Sequence, residues 1–562
     1  MKKQTGYFSC FISIVAALFA YAMHKNGGSI TGPFIFGDEC EYFSYARDLF
    51  RGADLSRHTQ YGVLYPALAS LFFNLGDPKK IYDAIRWFNI ALLISSAIPA
   101  FLLARMLLPK SPALFLFPVF VMTAPFGGLG YLIWAEPLYY LLFLWTACTL
   151  LRFYRQPGIA VGGVCGVLLA LLFHVKPGAG IVVQIAASLS CAAWIAVTPS
   201  GSRKPVVPYV VAVGLSCAML TIPWIVRNLS LGAGPIGYKY AFVELASVSA
   251  EFGYMHFLKE ALLSVFYQSA YVFIGTFGLL GVLFVLLATR WRTYSPELIA
   301  FIVFVIGCIA GLVALAAIGT TAERTDGYWV PLGRYYDAIS PIPVLLSVYL
   351  LIQDSTPTRH ERIWLVLTTI ALMAVVVFAT PLKMTRPISF IDRPELALPI
   401  WIVDAGNVVW RDRYDPSILE RICFAGTFGL IGLLLILTAK WRRAFLAAVT
   451  LVFIGSFATA LAEHRYVRII GSCQAEMNDV VNFLYHQKVA NNRVVFDSEL
   501  KNTNTANLMN FWTANDQVKY LSQAEFVDPA NLSGQGFFVT TQHLLYPVAY
   551  RSGGLVVYRP VQ

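Results

Sequence analysis

Trp134-Ala135-Glu136-Pro137-Leu138-Tyr139-Tyr140-Leu141-Leu142-Phe143-Leu144-Trp145-Thr146-Ala147-Cys148-Thr149-Leu150-Leu151 is an apolar run with a carboxylate at its mouth, followed by Arg152 and Arg155. Taken from 132 to 151, it is long enough to cross a hydrocarbon core of roughly 30 Å as a helix. Basic residues just past a span mark a cytoplasmic connection. Glu136 therefore belongs to the opposite, outer end, where a charge beside hydrocarbon is costly unless it pairs or lines a wet cavity.

Runs of this kind recur about thirteen times, at 7–24, 81–108, 112–126, 132–151, 158–174, 179–197, 206–225, 261–288, 296–318, 336–353, 363–380, 421–439 and 444–462. Composition agrees, because 57% hydrophobic and 13% charged residues over 562 positions, with a mean hydropathy of +0.64, do not describe a water-soluble chain. The class is a polytopic α-helical membrane protein. The net charge of +11 comes from Lys and Arg scattered in pairs between spans. With no basic stripe, nucleic acid is excluded as a partner.

Lys2-Lys3, Lys110, Arg152/Arg155, Arg203-Lys204, Arg290/Arg292, Arg359/Arg362 and Lys440/Arg442-Arg443 fall in alternate connections. That pattern puts the N-terminus inside and the C-terminus outside. The 7–24 run has no convincing small-residue cleavage site after it and reads as a retained helix. Outer connections (25–80, 226–260, 319–335, 381–420 and the tail) are long and polar, so function is expected on that face.

Two domains follow. Residues 1–463 form the membrane domain, with 25–80 as its first outer loop, and 464–562 form a small soluble α/β domain outside. Strand-like stretches at Arg493–Asp497, Gln517–Leu521, Gly536–Thr541 and Leu555–Arg559 alternate there with helix-like Ala475–Gln487 and Thr505–Thr513. The tail has no GxSxG, no paired metal ligands and no glycine-rich phosphate loop. Most of the nine cysteines lie in apolar helices and act as small hydrophobes. Cys40 and Cys473 are both outside, and their pairing stays open.

Within the first outer loop, Gly37-Asp38-Glu39-Cys40-Glu41-Tyr42-Phe43-Ser44-Tyr45-Ala46-Arg47 is an acidic cluster opening an amphipathic helix. Asp38 suits the N-cap of a helix over 39–50. Other outer helix ends keep ionisable groups too: Glu136, His174 with Lys176, Arg227 and Arg334. Each has a plain reading. Lys176 and Arg227 can snorkel to the interface, His174 can be a satisfied structural histidine, Trp134, Trp224 and Tyr335 can be aromatic belt, and Gly162, Gly163 and Gly166 suit helix packing. Together they imply a shared outward polar chamber. Carboxylates beside Lys and Arg are what is needed to bind an anionic group while taking a proton from a nucleophile.

Asp38-Glu39-x-x-Tyr42 with Ala46-Arg47, Tyr61-Gly62-x-x-Tyr65-Pro66, Glu136-Pro137, Lys176-Pro177 and Pro223-Trp224-x-x-Arg227-Asn228 resemble the membrane-embedded class C glycosyltransferases. The likeness is to the branch of protein mannosyltransferases, the lipid A aminoarabinose transferase and arabinofuranosyltransferases. It implies transfer of a sugar from a polyprenyl-phosphate donor to a glycan, lipid or protein acceptor outside the membrane. It implies Asp38 as general base, with Glu39 orienting acceptor or donor. Lys176, Arg227 and Arg334 are the candidates for holding the leaving phosphate, and Glu136, His174, Tyr61, Tyr65 and Tyr335 for contacting sugar or acceptor. The family often has Arg-Pro where this chain has Lys176-Pro177, and a Lys grips phosphate as a point charge. The Trp-Trp-Asp-Tyr-Gly signature of oligosaccharyltransferases is missing from the tail, against glycosylation of Asn in sequons.

No metal is required, although Asp38, Glu39, Glu136 and His174 could gather round a divalent cation. The alternatives are a transporter or flippase for a lipid-linked sugar, which calls for inverted repeats and charged or broken helices at midplane, and a surface-polysaccharide ligase or polymerase. The family's bacterial branch implies an inner membrane as the home.

Overall fold

The computed structural model describes residues 2–27, 37–56, 58–109, 113–123, 130, 132–199, 206–235, 253–276, 278–322, 336, 338–353, 358–374, 377, 418–438, 447, 449–450, 476–487, 494–498, 500, 519–521, 537–540, 548–553 and 555–559. The architecture is helical, with a small sheet near the C-terminus. In chain order the helices are α1 (Lys2–Gly27), α2 (Gly37–Arg51), α3 (Leu64–Ser70), α4 (Pro78–Ser95), α5 (Ala97–Leu107), α6 (Ala113–Thr123), α7 (Glu136–Arg155), α8 (Ile159–Val175) and α9 (Pro177–Val197). They continue with α10 (Val207–Ser230), α11 (Tyr254–Gly275), α12 (Leu280–Arg290), α13 (Pro296–Ala322), α14 (Pro341–Gln353), α15 (Arg359–Ala374), α16 (Ile418–Thr438) and α17 (476–486).

Among the described residues, Pro78–Leu107, Pro177–Val197, Val207–Ser230 and Pro296–Ile318 are long and apolar enough to cross a membrane. Shorter apolar helices such as Ile159–Val175 accompany them. The run at 261–288, expected as one span, is instead two helices, because Gly278 takes φ +72° and returns its N–H to the carbonyl of Phe273. A left-handed residue that closes a helix end is most readily Gly. Nearly all of 444–462, the whole of 505–513, and Arg334, Tyr335 and Cys473 lie outside the described residues.

Glycines set how the helices meet. A Cβ on Gly162 would lie 2.7 Å from the Tyr209 carbonyl oxygen, and one on Gly166 would run into Val213 and Ser216, whereas Gly163 faces open space. The Gly162-x-x-x-Gly166 face of α8 thus lies directly on the α10 backbone, the close approach that small residues permit in membranes. The matched positions ascend together, so α8 and α10 run parallel. Gly307 and Gly311 of α13 meet Ala186 and Val182 of α9 in descending order, so that pair is antiparallel.

The two ends of the bundle differ in chemistry. At one end Arg155 donates to the Met106 carbonyl at 2.7 Å, joining the last turns of α5 and α7. The other end of α7, with Glu136, adjoins the α8–α9 joint and α2, and the site lies there.

The C-terminal strands are β1 (Val494–Asp497), β2 (Lys519–Leu521), β3 (Phe537–Thr540), β4 (Val548–Ser552) and β5 (Leu555–Tyr558), in the order β2-β1-β3-β5-β4. The β2-β1-β3 pairings are parallel, with Val495 opposite Lys519 and Phe538, while β5 runs antiparallel to β3 and β4. β1, β3 and β5 are buried along their whole length, hence their largely apolar sequences; the polar ends of β1 and β3 meet, Thr540 donating to Asp497 at 2.7 Å. Those three and β2 fall inside the expected stretches. β4 escaped the sequence reading because it is a half-exposed edge strand with a register shift between Val548 and Tyr550. Helix α17 covers the sheet through Phe483, which stacks on Tyr550 at 4.6 Å and meets Phe537 edge-on at 6.1 Å.

Candidate functional site

The first turn of α2 carries the acidic cluster. The helix begins at Gly37, so Asp38 lies inside its first turn rather than at its N-cap. A carboxylate there faces the positive end of the helix dipole. Asp38 is half-buried, and the Tyr61 hydroxyl donates to its Oδ1 at 2.9 Å. Glu39 is fully buried; its Oε1 accepts from the Ile133 backbone N–H at 3.0 Å and from the Tyr82 hydroxyl at 3.3 Å. Glu39 thereby ties α2 to α4 and to the segment entering α7. The two neighbouring acids are differently placed: Asp38 keeps access to solvent, and Glu39 is built into the frame.

Tyr65, fully buried in α3, donates to Asn89 Oδ1 at 3.2 Å. The Asn89 amide in turn donates to the Leu132 carbonyl at 2.6 Å. Burial pushes the Tyr65 phenol well up, opposed by the bond to Asn89 and reinforced by the carboxylates of Glu136 and Glu39. Tyr65 therefore stays a neutral donor. Tyr42 meets Tyr61 and Tyr65 edge-on at 4.8 and 5.3 Å, forming an aromatic wall.

The Lys176–Glu136 pair closes the opposite side. Pro177 favours extended backbone at the residue before it, and Lys176 adopts φ −140°, ψ 93°, ending α8 and starting α9. A cation at the N-terminus of a helix is unfavourable. Glu136 offsets it: Lys176 Nζ lies 2.6 Å from Glu136 Oε1, with 13% and 4% of the two side chains exposed. Glu136 Oε2 is buried without a hydrogen-bond partner among the described residues. Gly62 joins the two halves, because a Cβ there would strike the backbone carbonyls of His174 and Val175. The segment carrying Tyr61 is thus seated on the residues just before Lys176.

Arg227 is held on the same face but at its margin. Its Nη2 donates to the Leu55 carbonyl at 2.8 Å, its Nη1 to Asn228 at 3.1 Å, and its guanidinium lies 4.5 Å over the Trp224 ring. His174 shares a 3.0 Å hydrogen bond between Nε2 and the Leu220 carbonyl and meets Trp224 edge-on at 5.6 Å, so its ring nitrogen serves α8–α10 packing. Among the sequence-derived candidates, Asp38 and Tyr61 bond directly, Glu136 and Lys176 bond directly, and Gly62 brings the two pairs side by side. Among the described residues, no three His, Cys, Asp or Glu side chains gather as a metal site would require. Cys40 is buried in α2.

Sequence reasoning passed over Tyr82, Asn89, Asp48 and His58. Asn89 had a usable signal, being a polar side chain inside an apolar span.

No family profile and no curated protein matches this chain in sequence. Its fold is nevertheless similar to that of ArnT from Cupriavidus metallidurans solved bound to undecaprenyl phosphate, at 15% identity, covering 99% of this chain and 98% of that one, with a TM-score of 0.52. The apo state of the same protein gives 14% identity, 99% and 98% coverage and a TM-score of 0.49. An oligosaccharyltransferase from Archaeoglobus fulgidus, solved with a tethered acceptor peptide, gives 10% identity, 95% and 69% coverage and 0.44. ArnT, the lipid A aminoarabinose transferase, is a class C glycosyltransferase. At this identity the likeness is one of fold, and the chain has the class C glycosyltransferase fold.

Proposed function

We propose that this protein transfers a sugar from a polyprenyl-phosphate donor to an acceptor on the outer face of a membrane. The observation that carries the reading is the carboxylate Asp38, tethered by Tyr61 and seated through Gly62 beside the buried Lys176–Glu136 pair, in a fold similar to that of a transferase solved with undecaprenyl phosphate. In this reading an acceptor oxygen attacks the anomeric carbon. The bond from that carbon to the phosphate oxygen breaks with its electron pair leaving on the lipid phosphate, and the acceptor proton passes to Asp38. A base needs hydrogen-bond reach of the attacking oxygen, and fixed cations stabilise the departing phosphate best where water is scarce. Lys176, Arg227 and Arg334 take that role, while Tyr61, Glu136 and Tyr335 contact sugar or acceptor; Tyr65 and His174, expected from the sequence in the same role, are held by Asn89 and by the Leu220 carbonyl and support the wall around them. The intramolecular bonds of Glu39 favour a positioning role for it.

The same reading takes 1–463 as the membrane domain, with about thirteen spans and the N-terminus inside, 464–562 as an outer α/β domain, and a bacterial inner membrane as the setting. The test is mass spectrometry of lipid copurifying with the protein, followed by its consumption when a washed envelope fraction from the source cells is added as acceptor. A polyprenyl-phosphate sugar that is consumed supports the reading, and one carried across a vesicle membrane intact would replace it with a flippase. Asp38→Asn should lower consumption by roughly 10²–10⁴-fold with the lipid still bound; near-normal consumption would remove Asp38 as the base.

A further inference from the structure

Between α2 and α3 the described residues 52–56 and 58–60 make a strap, pinned at three places. At its start the Ala53 N–H returns to the Asp48 carbonyl at 2.9 Å. In the middle, Leu55 offers its carbonyl both to Arg227 at 2.8 Å and to the His58 backbone N–H at 3.1 Å. At its far end the His58 ring lies against α2, with Nε2 2.8 Å from Asp48 Oδ2 and its plane stacked on Tyr45 at 4.4 Å and 7°. His58 and Asp48 are 2% and 5% exposed. Three residues later Tyr61 donates to Asp38.

We propose that Asp48 and His58 are positioning residues that hold this strap so that Tyr61 aims the Asp38 carboxylate. The inference rests on the function proposed above. Three residues span at most about 10 Å, so a pinned His58 confines where Tyr61 can stand; from Gly52, just past the end of α2, the reach would be about 30 Å. Burying a hydrogen-bonded His and Asp is a costly way to hold a surface loop, since a packed apolar pair often does as well. What the polar pair adds is one defined direction. The strap also bears the Arg227 contact, so it links the residue proposed to hold the donor phosphate to the residue proposed to take the proton. Neither Asp48 nor His58 contacts the reacting groups, and the effect passes through Tyr61.

The experiment compares His58→Ala, His58→Gln, Tyr61→Phe and the double variant His58→Ala/Tyr61→Phe in nanodiscs. Consumption of polyprenyl-phosphate sugar from a total lipid extract of the source cells, with the washed envelope fraction added as acceptor, is the kinetic readout. His58→Ala should lower kcat by up to about 10²-fold, the scale of an ångström misplacement, with KM for the lipid within about twofold. His58→Gln, which keeps an amide donor facing Asp48, should recover most of the loss. In the Tyr61→Phe background, His58→Ala should cost less than about threefold more. An equal cost in both backgrounds, or a loss in KM alone, would overturn the inference. Hydrogen–deuterium exchange gives an arm independent of turnover: His58→Ala should speed exchange at 59–63 while leaving 170–175 protected. Unchanged exchange at 59–63 would overturn the positioning role, whereas a wild-type protein that consumes no lipid-linked sugar would overturn the proposed function instead.

Discussion

Substituting Lys176 with Met would leave Glu136 with 4% of its side chain exposed, Oε1 stripped of its 2.6 Å partner and Oε2 without a hydrogen-bond partner among the described residues. Breaking a buried ion pair from one side costs about 3–5 kcal/mol, because the remaining charge stays out of water. Lys176 is itself 13% exposed, so water partly fills the gap and the expected loss is at the low end, about 3 kcal/mol. Replacing both partners, Lys176→Met with Glu136→Leu, removes the stranded charge as well as the attraction. That double variant should stay within about 1–2 kcal/mol of the parent, because apolar replacement of a whole pair is often close to neutral. The double-mutant cycle over Lys176→Met and Glu136→Leu, read by tryptophan fluorescence during denaturant titration in mixed micelles, should therefore give a coupling of at least about 1.5 kcal/mol. Additive costs, within about 0.5 kcal/mol, would refute the pair as an energetic unit and with it the account of how a lysine is tolerated at the start of α9.

Gly166→Ala drives a Cβ into Val213 and Ser216 and should destabilise by about 1–3 kcal/mol, whereas Gly163→Ala, facing open space, should be neutral or slightly stabilising; equal thermal shifts would contradict the α8–α10 contact. Tyr61→Phe removes a hydrogen bond to a carboxylate, about 1.5–3 kcal/mol, and should slow sugar transfer at least tenfold if Asp38 must be aimed. At the opposite end of the bundle, Arg290 donates to both oxygens of Glu361 and, as the largest cause, holds that carboxyl at about 2 against an ordinary 4.5. A depressed carboxyl stabilises the fold above its unfolded pKa and loses that contribution as pH falls from 4.5 toward 2. Arg290→Met should flatten this acid limb in thermal unfolding followed between pH 6 and pH 3, and an unchanged limb would dismiss the pair as its source.

Much of the site was legible along the chain because membrane topology makes position informative. Alternating basic connections placed Asp38, Glu136, Lys176 and Arg227 at one end of their helices, and in the structure Glu136 and Lys176 meet there although 40 positions apart. His174 was legible as an ionisable group at a helix end but not as a partner of Leu220 and Trp224, since nothing in its neighbourhood tells which helix lies alongside. Glu39 was expected to orient acceptor or donor beside the base Asp38. Its bonds to Ile133 and Tyr82, 94 and 43 positions away, tie it into the frame. The break at Gly278 was hidden because an apolar run reads alike whether or not one glycine turns left-handed within it.

The sequence by itself determined what solvent physics imposes residue by residue: a membrane class, the apolar runs, the acidic helix end and the short buried strands at the C-terminus. Each depends on local hydrophobicity, charge or period, which a neighbour elsewhere in the chain does not alter. Only the tertiary structure decided which helix ends meet. The seat of Gly62 on the α8 carbonyls, the latch of His58 on Asp48 and the reach of Arg227 across 172 positions to Leu55 depend on the order in which helices pack. That order is set by small-residue contacts such as Gly162 and Gly166 against α10, whose partners the one-dimensional pattern does not name.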